Sequence, residues 1–406
     1  MTDSFLPAKR PWRALAALIA ATALAVGCGG GSDSGVGSGG TGSPLSFSQG
    51  PITGFGSIIV NGVHFDDASA SVVDDDGNAL SNSQSLRLGT VVDVQGGTVV
   101  DGATAATAIH VHVDLIGPVT AAYDAATGRL AVLGQPVRVL STTALDGFSG
   151  GAAAIPAGSV VAVSSLYDKA TGVYVATRID PAPGAVRFAI RGAPTAVDTT
   201  AHTFTIGTAV FSYGSLAPPT PFAAGQALRA VLAKAVDGSG RWVVTAFGQA
   251  LTALPDGRRG GLQGVVSSAA DATHFVVNGV SVDASGASVT PAGTVIAVQS
   301  RVEVHGSVVA GVLVATSVEV DARNDGDDDH GGSGGGNRFE IIGAVLALDA
   351  VHQTLTMRGP TTINYATASF SKGTSADLAV GKLVEVKGNL STDGSELIAT
   401  QVKFDH

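Results

Sequence analysis

Three observations predict an all-β chain of small tandem barrels. No stretch of useful length after residue 28 repeats apolar residues at the helical period of 3.6, whereas period-2 alternation of apolar and polar residues recurs throughout. A unit opening on glycine returns five times, roughly 70 residues apart. The 406 residues contain 55 Gly and 16 Pro without a Gly-X-Y period, and 45% are hydrophobic, so the chain is neither collagenous nor disordered throughout.

The chain opens with an address. Lys9, Arg10 and Arg13 form a basic n-region, and Ala14 to Val26 is apolar and rich in Ala and Leu. At about 1.5 Å per residue that run is too short for a ~30 Å hydrocarbon core, so residues 1–27 read as a cleaved signal peptide rather than a lasting span. The segment Leu24-Ala25-Val26-Gly27-Cys28 resembles a bacterial lipobox, although Leu stands one place earlier than is usual. That resemblance implies lipidation at Cys28, the only cysteine, which becomes the mature N-terminus. Gly29 after it resembles lipoproteins released to the outer membrane. Residues 28–49 then form a lipidated Cys and Gly/Ser tether. One cysteine excludes an internal disulfide framework and a Cys-rich metal site. A net charge of −10 argues against nucleic acid as a partner, because that affinity comes largely from Lys and Arg at phosphates.

The repeats occupy 50–114, 115–181, 186–250, 260–321 and 339–406, with an acidic then Gly-rich linker over 322–338. They open at Gly50, Gly117, Gly192, Gly264 and Gly343, and close on two alternating strands joined by a turn. Alternation points Val92/Val94, Val161/Val163, Leu228/Ala230, Val302/Val304 and Val384/Val386 inward. It points Asp93/Gln95, Glu303/His305 and Glu385/Lys387 to water. Asn61-Gly62 and Asn278-Gly279 suit the positive-φ positions of type I′ hairpin turns. Five or so short strands per unit must close on themselves to remove open edges, and an OB-like Greek-key barrel fits that count. A sandwich of neighbouring units is the alternative. The linker is expected to set the fifth unit apart, so that 339–406 folds alone.

Two phrases resemble a known family. Gly54-Phe55-Gly56-Ser57-Ile58-Ile59-Val60-Asn61-Gly62-Val63-His64-Phe65-Asp66 and the run from Asp377 to Gly388 are similar to bacterial lipoproteins with repeats called domain of unknown function 5666. The resemblance covers roughly 50–406. It implies an envelope location and a β-repeat fold, and no activity.

Candidate chemistry is sparse. His110, His112 and Asp114 alternate along one strand and could meet a Zn²⁺ ion, in partial likeness to the His-x-His-x-Asp-His motif of metallo-β-lactamase-type hydrolases. Leu115 stands where the last His belongs. The positions of His110 and His112 hold Ser317 and Glu319 in the fourth unit, and Gln401 and Lys403 in the fifth, which reads as an ordinary solvent face. Asp74-Asp75-Asp76-Gly77 reads as a turn, and Arg258-Arg259-Gly260-Gly261 as a short basic linker. The acidic run from Asp321 to Asp329 lacks the EF-hand ligand pattern and reads as a solvated spacer. No nucleophile elbow or phosphate loop appears. The expected function is therefore a non-enzymatic, lipid-anchored envelope module acting as spacer or adhesion element, with no cofactor, no catalytic residue and no metal. Capture of an envelope glycan or peptide is the alternative, and a metal-dependent hydrolase on His110 and His112 the second.

Overall fold

Each repeat winds its strands into the same closed circuit. In the computed structural model, which describes residues 45–81, 86–248, 254–321, 339–359 and 361–404, the first repeat shows it most simply. Ser46–Phe55 pairs antiparallel with both Ile58–Val60 and Val91–Gly96. Ile58–Val60 turns back into Val63–Asp66. That strand and Ser71–Asp74 both lie parallel to the last strand, Ala103–His112, which pairs with Val91–Gly96 and closes the ring. The result is a five-stranded OB-like barrel whose third strand is broken in two. The same circuit recurs in Leu115–Asp124 to Val173–Pro181, Phe188–Gly192 to Trp242–Gly248, Arg259–Ala269 to Val312–Asp321, and Phe339–Ala344 to Leu397–Phe404. Among the described residues the only helical elements are two 3₁₀ turns, Ala152–Ala154 and Ser375–Asp377.

Alternation assigned the inward face correctly. All ten inward residues named from the sequence are buried, because a small barrel must fill its interior with side chains. The Asn-Gly hairpins also form as expected, with φ of 49° and 68° at Asn61-Gly62 and 50° and 82° at Asn278-Gly279. These asparagines reach further than a turn requires. Asn61 Nδ2 donates to Gln49 O, and Asn278 Nδ2 to Gln263 O, each at 3.0 Å. The next residue of each first strand is therefore the opening glycine. A Cβ at Gly50 would meet Asn61 Oδ1 at 2.7 Å, and one at Gly264 would meet Asn278 Oδ1 at 2.5 Å. The repeated glycine marks the place where the hairpin tip folds back onto the first strand.

The barrels are fused rather than strung. Ser46–Phe55 runs parallel to Arg259–Ala269 of the fourth barrel at one end and to Phe339–Ala344 of the fifth at the other. Leu115–Asp124 of the second barrel pairs with Phe188–Gly192 of the third. Barrels one and five share one buried apolar cluster, and barrels two and three share another. Barrel four has its own, into which Phe47 of barrel one inserts. The described residues belong to one compact unit, Ser43–His406.

Several expectations change accordingly. The 322–338 linker, itself outside the described residues, does not set the fifth repeat apart, since Phe55 of barrel one lies under Arg358 and against Gly359 of barrel five. Arg259-Gly260-Gly261 is the start of a strand and not a linker; a Cβ at Gly260 would overlap Phe47 O, so the two strands approach as only glycine allows. The first strand starts at Ser46, inside the span read as tether. The outward residues are half-buried instead of bathed in water: Lys387 pairs with Glu340 and Glu385, and Lys403 with Glu385. Residues 1–27, read as a signal peptide, Cys28 and the rest of the span read as tether up to residue 44 lie outside the described residues. No described helix is long and apolar enough to cross a membrane.

Candidate functional site

The last strand of barrel one, Ala103–His112, carries His110 and His112 to the place where barrels one, two and three meet. Their neighbour across the hairpin is Asp93, paired in register with His110. The turn after Ser71–Asp74 swings Asp75 and Asp76 towards barrel three. There Arg191 and Arg229 stand side by side on adjacent strands. The solvent-face reading of His110 and His112 is thereby overturned for His112. His112 is 3% exposed and Asp114 6%, because the outer face of barrel one is covered by its neighbours. His110 remains half-buried.

Asp75 is the hub. His112 Nδ1 donates to its Oδ1 at 2.9 Å, the backbone N–H of Val113 to its Oδ2 at 3.0 Å, and Arg191 Nη2 also reaches Oδ1. Arg229 Nε lies 3.7 Å from Oδ2 and its Nη1 donates to Asp76 at 2.6 Å; Arg187 closes on Asp76 from the surface. On the other side of the imidazole, His112 Nε2 sits 3.0 Å from Asp93 Oδ2, an ion-pair contact outside hydrogen-bonding geometry. Gln49 Nε2 donates to the second oxygen of Asp93. Asp114 faces away from the histidines: its Oδ2 accepts from the N–H and hydroxyl of Ser165, and its Oδ1 lies 3.5 Å from Arg191 Nε.

Burial alone would neutralise such groups, so their charge states follow from which partners outweigh it. Burial pushes the Asp75 carboxyl up, but the His112 hydrogen bond and the Arg191 charge hold it well below the usual carboxylate range. For His112 burial favours the neutral ring; the Asp93 carboxylate and the Asp75 hydrogen bond reverse that and raise it to about 9. His110 moves the other way, lowered by burial and by the charge of His112. Burial raises Asp114 despite Arg191.

The charges around this arrangement disfavour a metal ion. Asp75, His110 and His112 bring ligand atoms within 4.8 Å of one another. A metal ion there would have to displace the proton that Asp93 and Asp75 favour on His112. Asp75 is already claimed by Arg191 and faced by Arg229, so a dication would enter between two guanidiniums. Asp114, the third ligand suggested by the sequence, does not join the histidines. What the cluster can do is lock three barrels together through mutually neutralised charges.

The pH dependence follows with a definite sign. The folded-state value of His112 lies above the ordinary value of 6.5, so its contribution to stability is complete below 6.5 and lost as pH rises to about 9. Melting temperature should therefore fall across that window in the wild type and stay flatter in His112→Gln. A wild-type profile level from pH 6.5 to 9 would refute the imidazolium. The Asp75 contribution is present above the unfolded carboxylate range and is lost only in strong acid.

Sequence reasoning missed Asp75, Asp76, Arg191 and Arg229. One signal was available: a turn needs one Asp before Gly77, and three stand there. A further one lies in barrel three, whose first and next-to-last strands each carry a lone Arg among apolar residues, Ile190-Arg191-Gly192 and Leu228-Arg229-Ala230.

Comparison with known families adds the repeat pattern and no chemistry. A family described as a domain of unknown function (DUF5666) matches residues 49–110, 116–180, 263–319 and 342–403. The third barrel, unmatched, nevertheless has the same strand circuit. No curated protein matches the chain.

Proposed function

We propose, for a chain that belongs to the DUF5666 family, a non-enzymatic role as a lipid-anchored scaffold of the bacterial cell envelope. The observation that carries this reading is the fusion of five barrels into one body by strand pairing and shared cores. A rigid body holds its own surfaces at fixed separation from one another, which suits a spacer or adhesion element. The buried ionisable groups support it, because they hold each other across the barrel junction instead of flanking a reactive group. The anchor is Cys28, reached through the signal-like residues 1–27 and followed by a Gly/Ser tether, and Gly29 favours the outer membrane. Buried acyl chains contribute about 0.8 kcal/mol per CH₂, so dual or triple acylation at Cys28 would retain the body at a bilayer.

Fractionation of cells expressing the full chain tests the anchor. The wild type is expected in the membrane fraction and labelled by a fatty-acid analogue. Cys28→Ala is expected unlabelled, and either unprocessed or released. A wild-type protein found only in the soluble periplasmic fraction would contradict this reading.

A further inference from the structure

We propose that the last strand of barrel three, Trp242–Gly248, binds an extended segment of another protein in parallel along its open edge, by backbone pairing and one apolar side chain. This goes beyond the scaffold role and does not depend on the anchor.

The other four barrels show what belongs on that edge. In each, a threonine at the bulge of the last strand donates its hydroxyl to the strand before it: Thr107 to Gln95 O, Thr177 to Ser164 O, Thr316 to His305 O and Thr400 to Lys387 O. Thr245 does the same to Val231 O in barrel three, which fixes the equivalence of the five strands. Beyond the threonine, the strand gains a second, parallel neighbour in barrels one, four and five: Ser71–Asp74, Ser288–Thr290 and Ser369–Ser371. Barrel two keeps one residue of it, with Ala144 N–H donating to Thr177 O and Ala144 O accepting from Ile179 N–H. In barrel three the pairing with Ala209–Ser212 stops at Val243, and no described segment follows along Thr245–Gly248. Thr245 O and Phe247 N–H are the counterparts of the Thr177 and Ile179 groups, and lie on that edge. Pro218, Pro219 and Pro221 explain the gap, for they stand where the missing strand belongs and have no N–H to give a ladder.

Exposure agrees. Ile109, Ile179, Val318 and Val402 are buried, whereas their counterpart Phe247 is half-buried. Ala246 is exposed where Ala108, Ser317 and Gln401 are half-buried and Arg178 is buried. An unpaired edge of this kind is a template for a further strand. The sibling strands give that strand's chemistry: a serine, then an apolar residue (Val72, Val289 or Phe370) set against the inward residue of the last strand. In barrel three Phe222 of the proline-rich loop holds the apolar pocket, edge-on to Tyr213 as Phe370 is to Tyr365. Its ring gives the edge no hydrogen bond, and a guest strand would take its place. The chain outside the described residues has no such segment to spare. Residues 1–27 read as a cleaved signal, Val36 of the tether stands between glycines, 82–85 hold no apolar residue, and 322–338 hold none but Ala322. Residues 249–253 follow the strand directly. The occupant is therefore a strand from a second protein.

The probe is the chain's own barrel-five strand as a fluorescent peptide, Ala366 to Gly373, added to the full chain. Anisotropy should show saturable binding. The register of Ser369 on Gln401 repeats that of Ala144 on Arg178, so the nitrogens of Ser369 and Ser371 face the edge and that of Phe370 faces away. N-methylation at both serines should weaken binding by about tenfold or more, and at the phenylalanine by less than about twofold. Phe222→Ala vacates the pocket and should tighten binding. Hydrogen exchange places the contact: at saturation it should slow in Thr245–Gly248 and stay unchanged in Leu397–Phe404. Absence of saturable binding overturns the proposal, as does equal binding of the serine-methylated peptide. Weaker binding by Phe222→Ala, or unchanged exchange in Thr245–Gly248, overturns it too. So does an edge that exchanges as slowly in the free chain as Val402 does, since the tether or a second copy would then already cover it.

Discussion

Asp75→Ala is expected to destabilise the protein by about 3–5 kcal/mol, the usual cost of removing one partner from a buried ion pair. The substitution strands the imidazolium of His112 and the guanidiniums of Arg191 and Arg229, each less than a tenth exposed, with one fewer carboxylate among them. It also orphans the N–H of Val113. Arg187→Ala is the matched control. Arg187 pairs with Asp76 from a side chain 44% exposed, where ion pairs contribute about 0–1 kcal/mol. Urea denaturation of the two variants checks this. Equal losses would show that the Asp75 cluster is as dispensable as a surface pair.

Phe55→Ala should cost a similar amount, about 3–5 kcal/mol, for a different reason. Its ring is fully buried in the core shared by barrels one and five, with the Arg358 guanidinium 5.6 Å from the ring centroid. A Cβ on Gly359 would lie 2.3 Å from the ring, so the loop of barrel five is moulded to it. Truncation leaves a cavity between two barrels, and neither can close over it without shifting its first strand. The loss should therefore appear in both barrels. Chemical denaturation gives the magnitude, and a loss under 1 kcal/mol would mean the junction carries little of the stability.

The sequence revealed the inside of each barrel and concealed the outside. Period-2 alternation has two faces and separates Val384 and Val386 from Glu385 and Lys387 without ambiguity, as the structure bears out. It cannot say what covers the second face. In an isolated barrel that face meets water, and Asp93, His112 and Arg229 read naturally as solvated residues. In this chain another barrel stands against it, and the same positions become a buried charge network. The comparison of His110 and His112 with Ser317, Glu319, Gln401 and Lys403 misled for the same reason: equivalent strands in a repeat share a local fold, while their neighbours differ. The partners are also distant in sequence, with Asp75 and Arg191 separated by 116 residues, so no local spacing links them. The glycine that opens each unit was legible as a marker of the repeat. The cause at Gly50 and Gly264, the asparagine of the folded-back hairpin, required the structure.

Strand pairing and shared cores should make the five barrels behave as one body. Native-state hydrogen exchange of the full chain, compared between wild type and Phe55→Ala, tests it most directly. Protection should fall in Leu383–Leu390 and Leu397–Phe404 of barrel five as well as in Val91–Gly96 of barrel one, by the same opening free energy. Exchange accelerated in barrel one alone, with barrel five unchanged, would contradict the fused core.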